Sequence, residues 1–286
     1  MKKKIIALAL CLTLIASIVC LFAGCGDNKV DNTKESLQAV VDGVNSGDET
    51  ATMLKDVDYV KNNGKMIIGI TEYAPMNYKD ADGNWTGFDT EFAELVCEKL
   101  GVEAEFFVIG DWGQKVNELN SKNIDCVWNG MTITDDLKQT MSISDPYVIN
   151  AQVIVTKEAN AEKYATAEDL AGATVAVESG SAGEKEAIAA GLNTVAVAAQ
   201  SDALKEVKAG TADACIIDIT MAKAMTGEGT SYEALTYTGS LSEEYYGIGF
   251  RKNSDLAPEV QKIIEELKAD GTLDALAAKY NLALAD

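Results

Sequence analysis

Strand and helix patterns alternate twice along this chain, and that alternation restricts its fold more than any other feature. Residues 66–71 and 103–108 read as strands. Between them, residues 89–100 place Phe92, Leu95, Val96 and Leu100 on one helical face, and Gly101 closes the helix. Residues 112–120, with Val116 and Leu119, read as a helix, and 124–128 as a strand. A second set runs strand 174–177, helix 183–190, strand 194–197, helix 202–209, strand 214–217 and helix 220–224. After a strand over 246–250, the chain ends in helices 256–270 and 272–279, with Gly271 between them. Such units build α/β folds with mostly parallel sheets. Ligands in such folds sit beyond the carboxyl ends of the strands, so those ends hold the candidate site residues.

Residues 1–25 stand apart. Lys2, Lys3 and Lys4 precede an apolar run over residues 5–22, broken only by Thr13 and Ser17, which ends in Leu21-Phe22-Ala23-Gly24-Cys25. A basic start, an apolar middle and small residues before a break read as a secretory leader. The run also fits an uncleaved membrane anchor, since about 18 apolar residues can span a bilayer. Both readings put the remainder outside the cell, held at a membrane. About 260 residues follow Cys25, enough for two modest domains. Residues 26–58 are polar and acidic and read as a tether, within which 36–43 could form two helical turns.

Composition excludes several chemistries. The chain carries 24 basic and 45 acidic side chains, a formal charge of −21. That balance argues against nucleic acid as a partner, because phosphate binding needs basic patches. There is no histidine, which removes His-based triads and most zinc sites, and no Walker-type phosphate loop, so no metal or cofactor is expected. Cys97, Cys126 and Cys215 lie in apolar stretches, where buried free thiols are expected rather than a disulfide framework. The single arginine, Arg251, stands at a strand end and is expected to face solvent.

A more specific signal is residues 125–147, DCVWNGMTITDDLKQTMSISDPY. This stretch resembles the pocket-lining segment of the extracellular solute-binding proteins of family 3, usually close to GMTITPERxKxxDFSDPY. Three further matches follow the family's order. They are Tyr73-Ala-Pro-Met-Asn-Tyr with Gly87-Phe88-Asp89, then Asp213-Ala-Cys-Ile-Ile-Asp218, then Tyr246-Gly-Ile-Gly-Phe-Arg-Lys leading to Leu267-Lys-Ala-Asp-Gly. Together they cover nearly everything from Tyr59 on. The resemblance implies a two-lobed, periplasmic-binding-protein-like fold of type II, its two mostly parallel sheets joined by a two-strand hinge. It places the crossings near 147–151 and 243–247, lobe 1 at 59–146 plus 248–286, and lobe 2 with the crossings at 147–247. It implies a monomer without enzymatic activity that binds a small solute, first of all an amino acid, and hands it to the permease and ATPase subunits of an ABC importer. The leader then resembles a lipoprotein signal, with Cys25 lipidated and the protein on the extracellular face of the cell membrane.

The resemblance also assigns the pocket. Tyr73 and Trp112 match two aromatics that face one another around the ligand. Asn129, Gly130 and Thr132 match positions that hydrogen-bond it, and a glycine there lets a ligand approach the main chain. Trp128 beside them fits core and pocket equally. Ser181 and Ala182 match carboxylate-contacting positions at a helix start, whose free N–H groups attract anions. Glu178 fits either the cleft or a solvated loop. Asp218 matches the aspartate that holds an α-ammonium, and a charge closing an apolar strand is costly unless paired. The departure is Leu137, which stands where the family has the arginine that clamps the α-carboxylate. Two explanations remain open. The carboxylate could rest on the amides of 181–183, Thr132 and Lys138. Or the ligand could be an amine or other cation without a carboxylate, suited to Glu178, Asp218 and the aromatic faces. A dehydratase-like enzyme on the same scaffold is a third, weaker alternative, and a sensory module a fourth.

Overall fold

The computed structural model describes residues 53–286. The leader, Cys25 and nearly all of the expected tether lie outside the described residues. No described helix is long and apolar enough to cross a membrane.

Lobe 1 opens with helix α1 (Asp56–Asn63), closed by Gly64 at φ 69°. Strand β1 (Lys65–Ile70) follows, then the hairpin β2 (Tyr78–Lys79) and β3 (Trp85–Thr86). Helix α2 (Phe88–Leu100) leads to β4 (Glu103–Val108). A 3-10 turn, Trp112–Gln114, runs into α3 (Lys115–Asn120). Then come β5 (Cys126–Val127), α4 (Asp135–Thr140) and β6 (Met141–Ile143). Strand β7 (Val148–Lys157) carries the chain into lobe 2. There it forms β8 (Thr174–Glu178), α5 (Ala182–Ala189), β9 (Asn193–Val197), α6 (Gln200–Ala209), β10 (Ala214–Asp218) and α7 (Ile219–Met225). Strand β11 (Leu235–Tyr246) returns it to β12 (Gly249–Arg251), α8 (Leu256–Ala269) and α9 (Thr272–Lys279).

The lobe 1 sheet has the order β4-β1-β5-β12-β6, and the lobe 2 sheet β11-β7-β10-β8-β9. In each, four strands share a direction and one opposes them. The opposing strands are β12 and β7, the two that arrive from the other lobe. Both sheets are therefore mostly parallel, as the alternation implies, and each exception marks a crossing.

The crossings are more extensive than the sequence suggested. Strands β7 and β11 pair antiparallel from Tyr246↔Val148 through Glu243↔Ala151 and onward into lobe 2. Residues 246–250, read as one strand, break after Tyr246. The Gly247 N–H turns aside to the Met131 carbonyl at 3.0 Å. A Cβ on Gly247 would meet Ile133 and Ile143 side-chain atoms at 2.8 Å, so a larger residue would have to displace them. The C-terminal tail adds a further segment, with the Ile149 N–H donating to the Ala283 carbonyl at 2.9 Å.

Aromatic packing holds lobe 1 together. Phe92 on α2 meets the Trp128 ring edge-on at 4.9 Å and the Tyr147 ring at 5.8 Å. Trp128 is fully buried in this cluster and belongs to the core, which decides its two readings. Cys97, Cys126 and Cys215 are buried and free, as expected.

Arg251 overturns its expectation. It is 3 % exposed, with its guanidinium 2.9 Å from Asp56 and 3.0 Å from Asp125. It also donates to the carbonyls of Leu119 and Ile124, at 3.2 and 2.7 Å. The reason is topological: β12 is an interior strand, so its end is covered by its neighbours. Because Phe250 pairs with Cys126, Arg251 emerges beside Asp125, at the end of the sheet away from the carboxyl end of β5. The same network shortens the expected tether. Asp56 is buried as a counter-charge to Arg251, so ordered structure begins ahead of residue 59.

Candidate functional site

The carboxyl ends of the central strands of both lobes converge. Strand β1 leads to Thr71 and Tyr73, β5 to Asn129 and Gly130, β8 ends at Glu178, and β10 ends at Asp218. Between them lies a cavity of about 490 Å³, counting its mouth. Trp112, Lys115, Asn129, Gly130, Met131, Thr132, Thr134 and Leu137 line it from lobe 1. Gln152, Glu178, Gly180, Ser181, Ala182, Lys185, Gln200 and Asp218 line it from lobe 2. The structure thus brings eight of the nine expected ligand-binding residues to one wall.

Tyr73 is the exception. Its ring packs over Gly130, so that a Cβ on that glycine would lie 2.7 Å from Tyr73 Cε1. Its hydroxyl meets those of Thr220 and Tyr246, at 2 % exposure. The expected slot between two facing rings is therefore not formed: Trp112 lies on the wall, and Tyr73 lies behind it as a bridge from lobe 1 to α7 and β11. A tyrosine at a strand end can take either place, and the partner hydroxyls, 147 and 173 residues away, decide which.

Asn129 reaches the cavity without its amide group. Its side chain accepts from the Thr71 N–H and from Asn77 at 2.9 Å each, and donates to the Thr71 hydroxyl at 2.7 Å. It fastens the loops after β1 and β5 to one another. Gly130 adopts φ 53°, and its N–H donates to Asp89 at 2.6 Å. Burial pushes the Asp89 carboxyl up to about 7, opposed by that N–H and by the Tyr147 hydroxyl. The Thr132 hydroxyl donates to Glu244 at 2.8 Å.

The lobe 2 side is acidic and amide-rich. Asp218 accepts from the side-chain amides of Asn150 (2.7 Å), Gln152 and Gln200. Glu244, from β11, accepts from Gln152 at 2.8 Å and from Asn150. Its carboxyl is pushed up to about 8, first by burial and then by the Asp218 charge. Glu178 is 4 % exposed, and its Oε1 has no hydrogen-bond partner. Burial and Asp218 raise its carboxyl to about 8, while Lys115 opposes the shift. This removes the solvated-loop reading of Glu178. Ser181 caps α5 by accepting from the Glu184 N–H at 3.0 Å. Ala182 and Gly183 then begin the helix, where backbone N–H groups lack intrahelical acceptors. The N-terminus of α5 therefore faces the same cavity as Glu178 and Asp218, with Glu244 behind them.

The lobes meet over this cavity. Lys115 donates to the Gly180 carbonyl at 3.1 Å, and Lys185 lies 3.1 Å from Asp136. A Cβ on Gly180 would stand 2.4 Å from Gly113 Cα, so only glycine permits that approach.

This arrangement agrees with the comparisons to known proteins. The model of the bacterial extracellular solute-binding proteins, family 3, matches residues 66–283. The chain is a family 3 solute-binding protein. It is similar to the L-cystine-binding protein TcyJ of Escherichia coli, with 33 % identity over 77 % of this chain and 84 % of that protein. Among solved structures, it is similar to the P235GK mutant of ArgBP from T. maritima. That match has a TM-score of 0.74 and 34 % identity, covering 78 % of this chain and 98 % of the other. It is also similar to the ancestral amino acid-binding protein AncCDT-1, a precursor of cyclohexadienyl dehydratase, with a TM-score of 0.73 and 30 % identity over 79 % and 99 % of the two chains. The fold is thus the two-lobed type II form, and the family's members are binding proteins.

Sequence reasoning missed several wall residues of this solute-binding protein. Gln152 lies on β7, one residue past the crossing marked at 147–151, while Asn150 and Glu244, within the two marked crossings, stand behind the wall as hydrogen-bond partners of Asp218 and Gln152. Gln200 stands at the start of α6, two residues before the expected helix. Lys115 was hidden in a segment read only for its apolar face.

Proposed function

We propose that this protein is the receptor of an ABC importer for an amino acid, held by both of its charged α-groups. The observation that carries this reading is the opposition of two seats within one cavity. Asp218, backed by Asn150, Gln152 and Gln200, offers a fixed carboxylate to an ammonium. The start of α5 at Ser181 and Ala182 offers N–H groups to a carboxylate. An α-amino acid carries both groups on one carbon. Trp112 supplies the apolar face for the side chain, and binding closes the lobes by favouring the state in which both seats are within reach.

Glu178 beside Asp218 on the wall, with Glu244 behind them, suits a ligand with a further amino or cationic group. The relatives that bind L-cystine and arginine support that choice. In this reading Cys25 carries the lipid that keeps a monomeric receptor on the outer face of the membrane, where a permease with its ATPase subunits accepts the closed form. Ligand is bound and released without turnover.

A melting screen with L-cystine, L-arginine and L-histidine against cystamine, agmatine and histamine tests the assignment. A ligand at about 100 times its dissociation constant adds roughly 2.7 kcal/mol, a clear shift. One of the amino acids should raise the melting temperature, and its amine should do so far less. Asp218→Asn should weaken that amino acid by roughly 30-fold or more, as expected when one partner of a buried charge pair is removed. A shift with the amines alone would return the site to the cationic-amine reading.

A further inference from the structure

We propose that Lys115 holds the ligand's carboxylate, supplying from the turn after β4 the cation that Leu137 does not provide. The inference rests on the amino-acid reading above and names the residue that replaces the family's arginine in this chain.

The geometry points there in three ways. First, the Lys115 ammonium lies on the cavity wall at 6 % exposure, with Leu137 part of the same wall. Second, its position is fixed beside the anion seat. It donates to the carbonyls of Trp112 and Gly180, each at 3.1 Å, and Gly180 immediately precedes Ser181 and Ala182. An ammonium and the open start of α5 therefore converge on one spot, and both favour negative charge. Third, an ammonium has three N–H bonds. Two are used, the ammonium also stands 4.7 Å from the centroid of the Trp112 ring, and no oxygen or nitrogen acceptor among the described residues takes the third.

The other cations do not compete. Arg251 is committed to Asp56 and Asp125 at the far end of its sheet. Lys138 pairs with Asp135 and is 58 % exposed, outside the cavity wall. Lys185 lines the wall, but its half-exposed ammonium engages Asp136. The charged groups that bear on Lys115 are Asp111 on its own turn, Glu178 at the end of β8 and Lys185 on α5. Burial, the largest influence, lowers the Lys115 ammonium to about 8, and Glu178 partly restores it. A ligand carboxylate would hold it protonated.

A bare bridging role, tying Trp112 to Gly180 across the lobes, is the competing account. Calorimetric titration of the full chain separates the two. The probes are L-arginine with agmatine, L-cystine with cystamine and L-histidine with histamine, whose members differ by carboxylates. Lys115→Met should weaken the amino acid roughly 30-fold or more and leave its amine within about threefold. Adding Leu137→Arg to Lys115→Met should restore most of the amino-acid affinity, because the lost cation returns from the family's own position. Amino-acid affinity should also fall as pH rises through about 8, and that limb should vanish in the double variant. Equal losses for acid and amine, or no rescue by Leu137→Arg, would leave Lys115 as a bridge only and overturn the proposal. A wild-type protein that prefers the amine would overturn the amino-acid reading itself, before any variant is examined.

Discussion

Buried charge occurs at the far end of lobe 1 and around the cavity between the lobes, and the two regions treat it differently. At the end remote from the cavity, the Arg251 guanidinium contacts two aspartates and two carbonyls. Its neighbours, Asp56 in α1 and Asp125 ahead of β5, are as deeply buried as it is. At the cavity, Glu178, Glu244 and Lys115 are buried without a salt bridge among the described residues, and all three are displaced to about 8. Asp89, just behind the wall, is raised to about 7. A satisfied network stabilises a fold. An unsatisfied one is retained against its cost where a ligand completes it. On this contrast rests the proposed division into structural charge and binding charge.

The sharpest way to break this comparison is Arg251→Met. It leaves Asp56 and Asp125 buried without their partner, and removing one member of such a network costs about 3–5 kcal/mol. Chemical denaturation should show that loss, whereas Glu178→Gln, which neutralises an underpaired group, should leave stability unchanged or higher at pH 8.5. If the two variants cost the same, the division into structural and binding charge fails.

A smaller effect follows from pH. Unfolded glutamates lose their protons near 4.5, but Glu178 and Glu244 keep theirs in the fold until about 8. Between those values the folded state binds more protons, so raising pH favours unfolding. The melting temperature of the ligand-free protein should fall as pH rises from 5 to 8. Each kcal/mol corresponds to about 2–4 °C for a chain of this size. Above about 8 Lys115 opposes the fall, because its unfolded form then holds a proton that the folded state has released, while burial keeps Cys97, Cys126 and Cys215 protonated above their ordinary value near 9 and continues the fall. Glu178→Gln and Glu244→Gln should each flatten the falling limb, while conservative changes around Arg251 should not.

The smallest effect on stability belongs to Gly180→Ala. Gly180 sits at φ 72° on the loop before α5, and its new Cβ would strike Gly113 Cα across the cleft. We expect a stability loss of about 1 kcal/mol from the positive φ, with a much larger loss of ligand affinity because the lobes can no longer meet. Small-angle scattering with ligand should then show a wider particle than wild type. A compact particle with normal affinity would mean that this contact does not gate closure.

Much of this was legible in the sequence because its causes are local. Helix α2 ends at Gly101 and buries Phe92 and Val96, as periodicity implies, and β4 spans the expected residues 103–108. Both sheets are mostly parallel because strand and helix alternate. Half of the wall residues were expected, and those came from the family resemblance. Gly130, Glu178 and Asp218 stand at strand ends, and strand ends face the cleft in this architecture. The hinge strands were less legible. Strand β11 shows an irregular burial pattern and breaks register twice between Tyr237 and Ser242, so no period of two announces it.

What the sequence alone determined is the set of local units and their order: which segments are strands, which are helices, and which side chains stand at their ends. What only the tertiary structure decided is where each charge and each ring goes. Arg251 is buried because Asp56, 195 residues away, reaches it. Tyr73 is drawn behind the wall by Thr220 and Tyr246. Lys115 is held at the anion seat by the carbonyl of Gly180, 65 residues on. The physical reason is the cost of burying a polar group without a partner. Local sequence fixes which groups must be satisfied, and the folded chain alone settles which distant atoms satisfy them.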